Sequence, residues 1–471
     1  MRKLTYGRPP QEALASEPVK SLLIRMAGPS IIAMLMQAMY NTVDSMYVSR
    51  ISDGSLAAVT LAFPVQMIMG ALSTGIGVGI NSCISRNLGA KNLKEASAAA
   101  ANGLMLGLVT VVIMAAFGLL GSEAFISIYT DDPEVKAAAV IYVRTICLLG
   151  FGSIFSQLSF SVLQGSGSML LPMISQISGG VVVILLDPVL IFTCGMGIYG
   201  AAVASSMAQT VSMLIGMYGI FHVNRENLPV TFRGFRPDPG IVRDILVVGI
   251  PAAMTQATTS VVAGIVNKEI AQFGTSAVSV YGAYSKLSSF ATLPVFGVTR
   301  GMNPILGYCC GAGNSRRFME TEKLAVITAN GWTFICFLMF MFIPRTMLGW
   351  MNATPEMYEI GITSFRLLAA SMSFLGASIV MTQVFPPVKK SYISFIAALM
   401  RQVVFLIPLT MILSGMIGLN GVWIGICLAD TLSLVFITIM NIWLRKKVLP
   451  EWKPVAGGEA NTAGAAPENS D

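Results

Sequence analysis

Long apolar segments recur along nearly the whole of this 471-residue chain. A helix needs roughly 20 mostly apolar residues to cross the hydrocarbon core of a membrane. Charged residue types make up only 11% of the chain, against about 25% in soluble domains, so the solvent for most of its surface must be lipid. We expect an all-α integral membrane protein with about twelve transmembrane helices. The predicted spans lie near 25–49, 55–84, 96–120, 135–160, 169–193, 199–222, 241–272, 277–307, 320–343, 356–384, 391–413 and 419–444.

Basic residues are concentrated in alternate loops between these spans. They are Arg2, Lys3, Arg8, Lys20, Arg25, Arg86, Lys91, Lys94, Arg225, Arg233, Arg236, Arg243, Arg316, Arg317, Lys323, Lys389, Lys390, Arg445, Lys446 and Lys447. The intervening loops hold acids instead. Because cytoplasmic loops carry the excess of Lys and Arg, we expect both termini to be cytoplasmic, in a multi-pass protein of the cell's inner (plasma) membrane. The net charge of +7 then reflects topology, and we expect no nucleic-acid partner.

The seven cysteines lie in or beside apolar segments, and none has the spacing of a metal site. The chain also has a single histidine and no recognisable pairing of a nucleophile with a base. We therefore expect no cofactor, no structural metal and no enzymatic activity.

The sequence contains an internal repeat. A shift of 222 residues aligns its halves at Pro29 with Pro251, Gly75 with Gly297, Asn81 with Asn303, Asn92 with Asn314, and Arg144 with Arg366. The predicted parts are a cytoplasmic segment 1–24, a six-helix lobe 25–222, a cytoplasmic linker 223–240, a second six-helix lobe 241–444 and a disordered cytoplasmic tail 445–471. Two such lobes around a central cavity suit alternating access, so the repeat favours a secondary-active transporter over a channel or receptor.

Four polar residues form a stripe on the first span. Gln37, Tyr40, Asn41 and Asp44 follow i, i+3, i+4, i+7 spacing, which places them on one face of a helix. An ionisable residue at membrane depth costs about 2.5–3.5 kcal/mol on insertion scales. The stripe should therefore face protein or water, and it is a candidate for the substrate cavity.

Two further helices bring polar groups to the level of Asp44. Asp187 lies about 16 to 18 residues into the fifth span, while Ser205 and Gln209 lie near the start of the sixth, which runs back. Two carboxylates in a poorly solvated lobe disfavour each other's ionised form, so one can hold a proton near neutral pH. We predict a charge switch in which protonation favours release of a cationic substrate. Sodium bound by the same oxygens is the competing version.

Several blocks resemble the multidrug and toxic compound extrusion family. They are YNTVDSMYVSRISDGSLAAVTLAFPVQMI at 40–68, GIGVGINSCISRNLGAKNLKEA at 75–96, LLDPVLIFTCGMGIYGAAVASSMAQ at 185–209 and GLNGVWIG at 418–425. The resemblance covers the whole chain except its tail. It implies a twelve-helix antiporter that exports amphipathic, often cationic, small molecules in exchange for protons or sodium.

The resemblance also implies a cation site. Asp44 and Asp187 match its acids and Ser205 matches its hydroxyl. A family amide one turn before the second acid is replaced by Val183, which favours protons over a full sodium cage. The C-terminal acid site of other members is missing, and Thr259 lies near the expected acid.

Several alternatives stay open. Asp187 precedes Pro188, so it could instead satisfy backbone groups at a kink, and Arg401 and Asp430 could form a buried ion pair. A flippase for a lipid-linked or oligosaccharide precursor is the alternative function, although such a cavity would need several cationic side chains. We expect a monomer whose other partner is membrane lipid.

Overall fold

The computed structural model describes residues 10–48, 53–130, 132–232, 235–351 and 353–452. Within these ranges all regular structure is helical. The α-helices are α1 (Pro10–Ser16), α2 (Val19–Val48), α3 (Asp53–Gly89), α4 (Leu93–Leu120), α5 (Ser122–Ile126), α6 (Pro133–Leu148), α7 (Phe151–Gly165), α8 (Leu170–Pro188), α9 (Gly197–Tyr218), α10 (Pro239–Ala271), α11 (Thr275–Ala312), α12 (Ser315–Phe342), α13 (Pro344–Trp350), α14 (Pro355–Thr382), α15 (Ser391–Leu399), α16 (Ile407–Ile417) and α17 (Leu419–Trp443).

Short π-helical and 3₁₀ segments extend several of these helices. The π-helical segments are Val189–Thr193, Gly219–Val223, Met400–Leu406 and Leu444–Val448, and the 3₁₀ segments are Pro386–Val388 and Leu449–Glu451. They keep the backbone hydrogen-bonded, as a chain in lipid must.

Among the described residues, ten helical stretches are long and apolar enough to cross a membrane. The pair α6 and α7, bent by 41° at the break between them, makes an eleventh. Helix α11 is the remaining predicted span, and its 38 residues are more than long enough to cross.

Several predicted boundaries differ from the structure, most clearly at three places. Helix α2 begins at Val19 instead of residue 25, and α10 begins at Pro239, inside the predicted linker. At the C-terminus, the chain stays helical to Glu451, while the rest of the expected disordered tail, 453–471, lies outside the described residues. A hydropathy pattern marks the apolar part of a helix and misses polar turns that continue it.

The repeat is visible in the local geometry as well as in the sequence. The Oδ1 atom of Asn92 accepts a hydrogen bond from the Glu95 amide at 3.2 Å and caps α4. At the equivalent position, Asn314 Oδ1 accepts from the Arg317 amide at 2.9 Å and caps α12. Asparagine at this position satisfies one of the free N–H groups at a helix start. The same local chemistry therefore starts the same helix in each half.

The two halves meet from the middle of the bundle to the end that holds Arg86, Lys389 and Arg445, called here the basic end. A Cβ atom built on Gly75 of α3 would lie 2.6 Å from the carbonyl oxygen of Gly249 on α10. One built on Gly301 of α11 would lie 2.7 Å from the Ala27 backbone nitrogen on α2. The crossings are backbone to backbone, so only glycine fits there.

Polar contacts accompany this closure at the basic end. The Ser82 hydroxyl of α3 donates to the Pro386 carbonyl oxygen at 2.8 Å, and Arg86 Nη1 donates to Ser82 Oγ at 2.8 Å. Asp244 of α10 pairs with Lys389 and lies 3.9 Å from the Arg86 guanidinium. These contacts join the N-terminal half to the C-terminal half.

Away from the basic end, α2 and α10 pack within their own halves. Tyr40 of α2 is buried against Val183 and Ala208, which lie on α8 and α9. Val262 and Ile270 of α10 belong to a C-terminal apolar core that includes Trp423. The halves are therefore joined at the basic end, and their helices pack separately toward the other end.

We predict that Gly75→Ala destabilises this closure. The new methyl group must move from 2.6 Å to an ordinary contact of at least 3.4 Å, a displacement of about 0.8 Å between two backbones. A packed interface under such strain shifts toward another conformation, here one with the halves further apart. In a background without the seven native cysteines, spin labels at Leu93 and Met319, exposed residues on α4 and α12, should show an added longer distance.

Gly331→Ala is the matched control for Gly75→Ala, because nothing lies within 4 Å of the position that its new methyl group would take on α12. Its distance distribution should equal that of the parent protein. An unchanged distribution in Gly75→Ala would show that the crossing does not hold the halves together.

Candidate cation-coupling site

The carboxyl groups of Asp44 on α2 and Asp187 on α8 interact directly with each other. The Asp187 side chain is fully buried, with 0% exposure. Neither Asp187 oxygen, nor Asp44 Oδ1, accepts a hydrogen bond from any described residue. Ionised carboxylates are acceptors only, so two of them in contact repel unless a proton or a cation lies between them.

The sequence of α8 permits this approach. A Cβ atom built on Gly180 would lie 3.1 Å from Tyr40 Cδ1 and 3.4 Å from Met36 Cε, so the absent side chain lets α2 pack closely. Two turns later, the same face of α8 presents Asp187 beside Asp44.

Tyr40 connects three helices next to the carboxyl pair. Its hydroxyl oxygen accepts hydrogen bonds from Gln176 Nε2 on α8 at 3.1 Å and from Gln209 Nε2 on α9 at 3.5 Å. The structure therefore brings Tyr40 and Gln209 together, as the sequence analysis expected. Gln176 was missed, although it shares a helical face with Val183 and Asp187 and could have been found by extending that pattern backward.

A second tyrosine, on the fourth span, lies near the pair. Tyr142 on α6 lies within electrostatic range of both Asp44 and Asp187, and its hydroxyl oxygen accepts from Gln66 Nε2 on α3 at 3.2 Å. No spacing in the sequence links these residues to the carboxylates, because they come from separate helices. The polar surroundings of the site thus extend over α2, α3, α6, α8 and α9.

The remaining predicted site residues are Ser205, Gln37 and Asn41. Ser205 is half-buried on α9, one turn before Gln209, and within the described part of the chain it forms no hydrogen bond with the carboxyl pair. Its role as a ligand stays a prediction. On α2, Gln37 is half-buried and Asn41 is exposed.

The alternative role of Asp187 at a kink lacks a structural basis. Helix α8 ends at Pro188 and passes into the π-helical segment Val189–Thr193, but no described backbone N–H donates to the Asp187 carboxyl oxygens. That side chain therefore caps no backbone N–H of this turn among the described residues.

The C-terminal half has a different arrangement. Arg401 Nε donates to Asp430 Oδ1 at 2.6 Å, which confirms the predicted ion pair. Gln402 Nε2 donates to the hydroxyl of Thr259, the residue near the expected acid, at 2.8 Å. The Asp430 carboxylate is thus neutralised by a guanidinium, whereas the Asp44 and Asp187 carboxyl groups have no ion-pair partner among the described residues.

A polytopic helical protein with a joined basic end and a buried carboxyl pair belongs to the class of membrane transporters. The sequence model of the MatE family matches residues 29–189 and 251–412, one segment in each half. The chain therefore belongs to this family, the multidrug and toxic compound extrusion transporters. The expected fold, twelve helices in two lobes, is confirmed.

Individual relatives match over nearly the whole chain. The multidrug export protein MepA of Staphylococcus aureus (strain N315) is 23% identical over 437 residues, covering 92% of this chain and 95% of MepA. An outward-facing multidrug resistance transporter of the family has a TM-score of 0.87 and 26% identity, with 93% of this chain and 98% of that chain covered.

A second solved structure is a transporter of the same superfamily from Pyrococcus furiosus, described as having a binding pocket of reverse polarity that suggests a different function. Its TM-score is also 0.87, at 25% identity, with 93% of this chain and 98% of that chain covered.

We predict that Tyr40→Phe destabilises the N-terminal lobe. The substitution leaves the half-buried amide groups of Gln176 and Gln209 without their shared acceptor, which costs about 1 kcal/mol, the lower end of the range for a buried group. Thermal unfolding in detergent should show a lower Tm. Tyr47→Phe on the same helix is the control, since it keeps the aromatic contact of Tyr47 with the ring of Phe192, 6.3 Å away. Equal Tm values for the two variants would contradict the role of the Tyr40 hydroxyl.

Proposed function

We propose that this protein is a secondary-active exporter of amphipathic or cationic small molecules, driven by an inward proton gradient. The observation that carries the proposal is the interaction between the Asp44 and Asp187 carboxyl groups, in which Asp44 Oδ1 and both Asp187 oxygens lack a donor among the described residues. One proton between the two groups converts this repulsive contact into a hydrogen bond. Family membership supports transport of small molecules, and the pair supplies the coupling.

The pair works as a charge switch. With a proton between Asp44 and Asp187, the site has one negative charge fewer, and a cationic substrate loses an electrostatic partner. Loss of the proton restores the second charge, so the substrate cation and the proton compete for the site. Each charge that crosses supplies about 2.3 kcal/mol per 100 mV, and each pH unit about 1.4 kcal/mol.

The orientation of the molecule determines which side the proton enters from. We assign the basic end to the cytoplasm, because cytoplasmic loops carry the excess of Lys and Arg. The lobes are joined at that end, so the conformation is outward-facing in this assignment. The similarity to an outward-facing relative supports this interpretation. Protons from outside then reach Asp44 and Asp187 first.

Protons are favoured over sodium by the side chain next to the pair. Val183 lies one turn before Asp187, is 2% exposed and packs with Tyr40 and Ala208. It offers no oxygen, whereas hard cations need several oxygen ligands. A proton needs only the two carboxyl groups.

Efflux of a fluorescent cation from proteoliposomes tests the proposal. We expect a pH gradient to drive efflux in the wild type, and Asp44→Asn to lower the rate at least about ten-fold because the proton then has a single carboxyl group to occupy. Glu359→Gln, an exposed acid on α14, is the control and should keep the wild-type rate.

Each other outcome of this experiment is informative. Undiminished efflux in Asp44→Asn would contradict the carboxyl switch. Efflux driven by a sodium gradient alone would show that the coupling ion is sodium and not the proton. No transport of any cation would contradict the exporter and favour the flippase for lipid-linked precursors.

Val183→Asn should introduce sodium binding. The new amide oxygen would lie one turn from Asp187, on the face that holds the pair. We expect sodium chloride, compared with choline chloride at the same concentration, to raise the Tm of this variant and to leave the wild-type Tm unchanged, because a ligand that binds only the folded state stabilises it. Val182→Asn, on a neighbouring face, is the control. A sodium-dependent Tm in the wild type would contradict the choice of protons.

A further inference from the structure

A small cavity of about 70 Å³ lies where the two lobes meet. Its lining includes side chains from α3 and α7 on one side and from α11 on the other, namely Thr74, Asn81, Gln157, Gln164, Arg300 and Asn303. Arg300 lies 12 residues before the end of α11, roughly 18 Å along the axis, so it is near the middle of the membrane.

Arg300 alone is charged among the described residues that line this cavity. Within the described part of the chain it forms no salt bridge, whereas Arg401 pairs with Asp430 and Arg445 with Glu322. Arginine at membrane depth is expensive and is normally paired or faces a functional cavity. The arrangement therefore places an unneutralised guanidinium at a cavity between the lobes.

The neighbouring side chains do not satisfy each other either. Asn303 Oδ1 is buried and has no hydrogen-bond partner among the described residues. Asn303 lies one turn after Arg300 on the same helix. An unpaired cation and an unpartnered amide on one wall are what a site for a polar group requires.

The internal repeat shows that the fold does not need a cation here. Shifting Arg300 by 222 residues gives Val78, and the same shift takes Asn303 to Asn81. Val78 and Asn81 line the same cavity from the other lobe. Because valine occupies the equivalent position of the same fold, the charge of Arg300 serves something other than packing.

Arg300 is also electrostatically connected to the N-terminal site. Tyr40, whose hydroxyl holds Gln176 and Gln209, lies within electrostatic range of both Arg300 and Asp44. Tyr40 is therefore near a cation of one lobe and a carboxyl group of the other. A ligand that carries both charges would match this polarity.

We propose that Arg300 binds the carboxylate of a zwitterionic amphipathic substrate, whose cationic part lies toward Asp44 and Asp187. A guanidinium binds a carboxylate through two parallel hydrogen bonds, and 70 Å³ holds such a group but not a whole drug-sized molecule. The inference rests on the proposed export function and narrows its substrate class.

Two dyes that differ only at a carboxylate test this site. Rhodamine 110 carries a carboxylate and a cationic ring system, and rhodamine 123 is its methyl ester and a simple cation. In proteoliposomes with a pH gradient, we expect Arg300→Gln to lower the kcat/KM for rhodamine 110 by about ten-fold or more and that for rhodamine 123 by less than about two-fold. Arg300→Lys should lose less, because it keeps the charge.

Lys286→Gln is the matched control. It removes another cation of α11, but Lys286 is exposed and is not among the residues that line the cavity. Both dyes should be transported as in the wild type. Fluorescence anisotropy of rhodamine 110 with the detergent-solubilised protein gives a second readout, since binding does not require transport.

The outcomes separate this inference from the proposed function. Equal losses for both dyes in Arg300→Gln, or no loss for either, would overturn the carboxylate site while leaving export of rhodamine 123 by the wild type as support for the exporter. If the wild type exports neither dye, the proposed function fails. In that case the anisotropy measurement still tests the site. Rhodamine 110 binding that is lost in Arg300→Gln would support the carboxylate site, and binding that is unchanged in this variant would overturn it.

Discussion

Backbone hydrogen bonding in lipid is the constraint on which this structure depends. Hydrocarbon supplies no partner for an N–H or a C=O, so each span has to satisfy its own backbone. The chain does so even where its helices deviate, because Pro188 leads into a π-helical turn and not into open coil. Every span satisfies its backbone in this way, so the helices differ from one another mainly in their polar side chains. These side chains form the sites.

The two lobes share their local geometry and differ in their charges. Equivalent asparagines cap equivalent helices, and glycines of both lobes allow the backbone crossings between the halves. The N-terminal lobe nevertheless holds two carboxyl groups in contact, whereas the C-terminal lobe pairs Asp430 with Arg401 and leaves Arg300 without a partner among the described residues. The same fold therefore carries acidic groups in the N-terminal lobe and an unpaired cation, Arg300, in the described part of the C-terminal lobe.

The joining of the lobes connects that space to the conformation of the molecule. Gly75 and Gly301 lie at backbone crossings between the halves, and the cavity that contains Arg300 lies close to the same crossings. Separation of the lobes would therefore change both the glycine crossings and the cavity. A group bound at Arg300 and a proton at Asp44 would act on the same movement, and Tyr40 lies within electrostatic range of both residues.

The sequence by itself determined the membrane class, the twelve helices and the repeat, and it singled out Asp44 and Asp187 as candidates, because hydropathy, spacing and internal similarity can be read from the chain alone. It also placed Arg401 near Asp430. Only the tertiary structure decided that the two carboxyl groups interact, that Tyr142 lies within electrostatic range of them and that Arg300 lines a cavity. Spacing fixes which side chains share a face of one helix, but the rotation of that face toward other helices depends on non-local contacts such as Gly180 against Tyr40.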